Sequence, residues 1–196
     1  QALHGLQIPV TISDCKAAVD ATVAKQGAVS LCFHAGGWMT NKQMVDIVDH
    51  SDLAHGKKVK FLNMREMDER IVKNMLSGHP LRNDDGADNG VRVFDINGDG
   101  FMDVLIANEK AKVSRVWEPK GREWRDVPFP VTLSHDLRFG VLDESGNAVA
   151  VTPKTGWRFT GKAWAEDKTL AAGQGGFRLL DINNDGVCEL ISNGSI

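Results

Sequence analysis

The chain has 196 residues, 42% of them hydrophobic and 25% charged, with a formal charge of −3. These are the proportions of one or two ordinary folded domains, which excludes a disordered tail, a collagen-like repeat and a coiled coil. No apolar run approaches the roughly 18 residues of a membrane-crossing helix, and the slight acidity leaves no basic field for nucleic-acid phosphates.

The chain starts at Gln1 without the basic, apolar and small-residue order of a signal peptide, and stops at Ile196 after a strand-like run. It reads as a mature form or a fragment. Its three cysteines, Cys15, Cys32 and Cys188, form no CxxC or zinc-type spacing.

Residues 13–78 are expected to alternate helices and strands. Ser13 is placed to cap a helix that Gly27 ends, and AVSLCFH (28–34) follows as a short strand. Thr40 caps the next helix, NKQMVDIVDHSDLAH, which turns Met44, Ile47, Val48 and Leu53 to one face and stops at Gly56. KVKFLN (58–63) reads as a second strand and residues 65–77 as a third helix, closed by Gly78. This is the rhythm of βα units at the end of a larger barrel or sheet. His50 and His55, five apart on one helix, read as separate surface residues.

After Pro80 the composition shifts. Residues 81–90 form a polar, glycine-rich linker, and from Val91 onward short strand-like runs alternate with turns. The expected architecture is therefore an α+β chain in two parts: α/β units of barrel-end type over 1–80, then all-β propeller-type blades, two or three of them, over 91–196. An internal repeat supports the second part. GVRVFDINGDG (90–100) and GFRLLDINNDG (176–186) share seven of eleven residues, and a weaker copy carries Asp143, Ser145 and Asn147. The opening aspartates are 48 and 38 residues apart, about the length of one four-stranded blade.

The repeat carries chemistry. Asp95, Asn97, Asp99 and Asp103 stand at positions 1, 3, 5 and 9 of a loop with Gly100 at position 6; Asp181, Asn183, Asp185 and Glu189 repeat this with Gly186. Oxygen side chains at alternate positions of a tight turn converge on one point, and the carbonyl at position 7, from Phe101 or Val187, adds another oxygen. Such donors suit a hard cation, two Ca²⁺ in all; the competing reading is a pair of solvated turns, which Asp and Asn also make well. Position 12 is Ile106 or Ser192 and the flanks are β-patterned, so neither loop is an EF-hand.

These residues resemble the FG-GAP or VCBS repeat of calcium-binding, integrin-α-like propellers, over roughly residues 88–196. The resemblance implies calcium at both loops, a structural or binding module for carbohydrate or another extracellular protein, and export to a calcium-rich compartment. In the middle copy Asn147 replaces the fifth-position acid and no ninth-position acid is evident. A closed propeller needs more blades than these, which implies further domains of a longer parent, self-association, or an open β-structure.

His34, at the end of AVSLCFH and followed by AGGW, sits where α/β folds build sites. Residues 10–78 resemble the last βα units of a polysaccharide deacetylase (NodB-type) barrel, as joined to VCBS-like repeats in planctomycete-type multidomain proteins. The resemblance implies a catalytic role for His34 beside a divalent metal held by residues outside this chain. The alternative is a packed histidine with its nitrogens satisfied by backbone groups. The chain is thus either a calcium-stabilised module or the C-terminal part of a metal-dependent carbohydrate deacetylase, inactive alone. Trp117, Trp124, Trp157 and Trp164 read either as a sugar platform or as packing.

Overall fold

The computed structural model describes residues 2–32, 39–173 and 176–192, with side chains from residue 12 onward. The chain divides into two compact units, Gln1–Met64 and Arg65–Ile196. No helix is long and apolar enough to cross a membrane among the described residues.

The first unit is helical. Helix α1 spans Ala2–Ala24 and α2 spans Asn41–His55. Thr40 caps α2 as expected: its hydroxyl accepts from the Gln43 amide while the Gln43 side chain accepts from the Thr40 amide. Gly56 ends the helix at φ 52°. The two helices are in contact, and Cys15 and Val19 on α1 and Ile47 and Ser51 on α2, each pair four residues apart, are buried. Ser51 returns its hydroxyl to the Ile47 carbonyl at 2.8 Å, so its burial leaves no lone donor.

Three expectations fail in this unit. Ser13 lies inside α1, because a capping residue starts a helix only where the chain before it has left helical dihedrals. Residues 28–32 and 59–63 form no strand, and 33–38 lie outside the described residues. A lone strand has no ladder for its backbone groups, and Phe61 stands 62% exposed. The α/β barrel-end reading of residues 1–80 is therefore corrected to helices joined by irregular chain.

The second unit opens with α3 (Met64–Arg70), which widens into a π-helical turn over Ile71–Met75. Ten short strands follow. β1 (Val91–Phe94), β2 (Asp103–Ala107), β3 (Lys112–Glu118) and β4 (Glu123–Pro128) form one antiparallel meander. β5 (Arg138–Val141), β6 (Ala148–Val151), β7 (Gly156–Phe159) and β8 (Trp164–Asp167) form a second, and β9 (Phe177–Leu180) pairs with β10 (Glu189–Ser192) as a hairpin. The propeller expectation is corrected here: three small antiparallel sheets are present, and no closed propeller or barrel is seen among the described residues.

Strand periodicity explains how the layers stack. In β2 every residue is buried because both faces are covered. Leu105 and Ala107 face the second meander's Ala150, while Val104 and Ile106 meet Leu76, Ile71 and Val72 of the helical segment. β6 repeats the pattern. Ala148 and Ala150 turn to the first meander, Val149 and Val151 to Phe177 and Leu190 of the hairpin. Phe159, fully buried with Ile96, Val116 and Val127, closes the seam between the meanders; burying such a ring is worth roughly 1.5–3 kcal/mol. Arg115 ties the helical segment down. Its guanidinium donates to the Met75 carbonyl at 2.7 Å, pairs with Asp126 at 3.1 Å, and lies over Trp124.

Trp117, Trp124, Trp157 and Trp164 are packing residues. Trp117 and Trp124 pair across β3 and β4 with ring centroids 4.9 Å apart, and Trp157 and Trp164 pack against the seam, Trp164 donating to the Ser114 hydroxyl at 2.8 Å.

Candidate cation sites

The repeat loops share a backbone design. In the first, Asp95 Oδ1 accepts from the amides of Gly98 and Asp99 and Oδ2 from Gly100. In the last, Asp181 accepts from Asp185 and Gly186 in the same way. The fifth-position acids accept from the seventh-position amides, Asp99 from Phe101 and Asp185 from Val187. Asn97 and Asn183 each donate to that same acid, at 3.0 and 2.9 Å. The fourth and sixth positions are left-handed in both loops: Gly98 and Gly100 in the first, Asn184 and Gly186 in the last. Asn is the one common non-glycine residue that takes this conformation cheaply, which is how the last loop keeps its shape without the first glycine.

The ninth-position acids look inward. Asp103 Oδ2 accepts from the Ile96 amide and Glu189 Oε2 from the Ile182 amide, both at 2.9 Å. Asp103 is fully buried, and its other oxygen accepts from the Trp117 amide at 2.8 Å, tying the loop to β3. Burial pushes its carboxyl up to about 6, against the pull of those two amides, and the charges of Asp99 and Asp95 push it the same way.

The middle copy differs in charge. Asp143 accepts from the Ser145 amide and is paired with the Arg158 guanidinium from β7. Hydrogen bonds from Ser145, then the charge of Arg158, hold its carboxyl below the usual carboxylate range. Gly146 is left-handed at position 4, but position 6 is Ala148, already in β6, so the second bend is missing. The first and middle loops touch backbone to backbone at Gly98 and Gly146.

A third constellation escaped sequence reasoning. Asp20 on α1 lies between His50 and His55 on α2, its Oδ1 at 2.7 Å from His50 Nε2 and 2.6 Å from His55 Nε2. The reading of the two histidines as separate surface residues is corrected. Positions five apart point about 140° apart on a helix, which prevents them from sharing a face but lets them bracket a neighbouring helix. The imidazoles stand edge to face with centroids 6.0 Å apart, and their hydrogen bonds, that of His55 foremost, hold Asp20 below the usual carboxylate range. This is the one group of three His, Cys, Asp or Glu side chains among the described residues whose ligand atoms all lie within 4.8 Å of one another. The acids of the repeat loops do not gather so closely.

His34 lies outside the described residues. All three cysteines are free: Cys15 buried, Cys188 partly buried and Cys32 exposed.

No protein-family model matches the chain, and no curated protein or solved structure is similar enough to match it. The resemblances to FG-GAP or VCBS repeats and to polysaccharide deacetylases therefore rest on the residues alone.

Proposed function

We propose that the chain is a calcium-binding β module of an exported multidomain protein, in which two DxNxDG loops each hold one Ca²⁺ as a structural staple. Asp95, Asn97, Asp99 and the Phe101 carbonyl would hold the first ion, with Asp103 behind them. Asp181, Asn183, Asp185, the Val187 carbonyl and Glu189 would hold the second. The ion supplies positive charge and a fixed oxygen shell at the hairpin bend. The stapled sheets would then present a surface to carbohydrate or to another extracellular protein.

One contrast carries this reading. The opening acid of the middle copy is neutralised by Arg158, and that copy lacks the other loop acids. Asp95, Asp99, Asp181 and Asp185 have no basic partner within ion-pair distance among the described residues. Turn formation accounts for the amide hydrogen bonds equally well; it does not account for three acids on each of two short loops without a basic partner among the described residues, where like charges cost stability.

Thermal unfolding with calcium and with EDTA, together with metal analysis of the purified chain, tests it. The expected result is a melting temperature that rises with calcium and close to two ions per chain. No shift and no bound calcium would reduce the aspartates to turn formers.

A further inference from the structure

Asp20, His50 and His55 lie in the other unit and have a different donor chemistry. We propose that these three side chains bind one borderline divalent transition cation of the Zn²⁺ class, which clips α1 to α2. Two imidazole nitrogens and one carboxylate oxygen suit zinc, cobalt, nickel or copper, whereas calcium and magnesium prefer oxygen alone. The two kinds of site would therefore not compete for the same ion.

The geometry fits with a small adjustment. Zinc bonds of about 2.0–2.2 Å set the ligand atoms of a tetrahedral site roughly 3.3–3.5 Å apart. Both Nε2 atoms now lie 2.6–2.7 Å from one carboxylate oxygen, so each imidazole needs to withdraw by less than about 1 Å. The histidines are 26% and 16% exposed and Asp20 is 49% exposed, which leaves the site accessible from solvent and an open coordination position for water.

The convergence is tertiary rather than local. Asp20 is 30 and 35 residues from its partners, and all three ligands lie across the single helix pair of this unit. Among the described residues the pair's buried apolar side chains are Cys15, Val19 and Ile47, and a cation bound across the helices would add to that packing, as metals and disulfides do in small units. The cysteines here are free.

The test uses the full chain, stripped of metal and returned to saturating calcium so that the repeat loops are filled. Zn²⁺ is titrated by calorimetry and Co²⁺ by visible absorption, with helix content followed by circular dichroism. One equivalent of Zn²⁺ is expected, together with a Co²⁺ spectrum of nitrogen and oxygen ligands that lacks a sulfur charge-transfer band. His50→Gln, His55→Gln and the near-isosteric Asp20→Asn should each weaken Zn²⁺ binding by at least about tenfold, while His135→Gln, at an exposed histidine elsewhere, should leave it unchanged. Failure of the wild-type chain to take Zn²⁺, a thiolate band, or undiminished binding in the three variants would each overturn the proposal. Should a variant lose its helix content, the wild-type Co²⁺ spectrum still decides.

Discussion

The first and middle repeat loops start from the same residue and end in different electrostatic states. Asp95 and Asp143 both fold their loops by accepting backbone amides, and both are followed by a left-handed glycine at position 4. The first loop then adds Asp99 and a buried Asp103, whereas the middle one adds Ser145 and Asn147 and draws Arg158 onto Asp143. A turn can keep its shape while its charge is balanced by different means. Arginine serves one copy, and calcium would serve the other.

The largest expected effect comes from Asp103→Ala. It leaves the Ile96 and Trp117 amides without their acceptor, and at about 1–3 kcal/mol for each orphaned group the loss should be about 3–4 kcal/mol in urea unfolding. Asp143→Ala should cost less than about 1 kcal/mol, because its partners remain near water. Equal losses would break the contrast between the two loops.

Calcium should come next. Free calcium at a hundred times its dissociation constant stabilises by about 2.7 kcal/mol per site. Asp99→Asn or Asp185→Asn should remove one site's share and one ion per chain, measured by thermal unfolding and metal analysis. Asp143→Asn should change neither calcium stoichiometry nor the calcium-induced shift.

A smaller change is expected from Arg158→Met, about 0.5–1 kcal/mol for a partly exposed pair. Two calcium ions per chain should remain, since Asp143 is the one acid at the ligand positions of that loop. A third ion in that variant would show that the guanidinium stands in for a cation at the middle loop.

The pH response of the Asp143–Arg158 pair is smallest. Asp143 has a lowered carboxyl pKa in the folded chain, so its stabilisation is complete above the ordinary carboxylate value near 4 and is lost as pH falls through the folded value. At 44% exposure this is a fraction of a kcal/mol. Melting temperatures between about pH 5 and pH 3 should therefore fall slightly less in Arg158→Met than in the unaltered chain.

The β unit could be read from the sequence because its information is local. Alternation in VRVF, the turn residues of DINGDG, and runs such as DVLIA and AVAV that are buried on both faces each identify a strand without reference to a distant partner. How the sheets close is not local, and the length of a repeat was no guide to whether they form a ring. The first unit was misread for a related reason. An apolar run such as KVKFLN has strand composition, but it becomes a strand only beside another, and none is there among the described residues. The Asp20 cluster is not legible in the sequence because a five-residue spacing separates the histidines along their own helix. Only the packing of α1 against α2 supplies the third member.

The Gly98–Gly146 contact has a consequence for how this chain tolerates change. A Cβ at residue 98 would lie 3.0 Å from the backbone of Gly146, and one at residue 146 would lie 3.2 Å from the Gly98 Cα. Both residues also hold φ at 71°. The gap between the two loop tips is therefore set by main-chain thickness, with no side chain to trim or swap. Adding even one carbon there cannot be absorbed by choosing a slimmer neighbour. The facing loop has to give by a few tenths of an ångström, on top of the strain of a side chain at a left-handed position, and it does so next to Ile96 and Ala148, which pack with Phe159 in the seam.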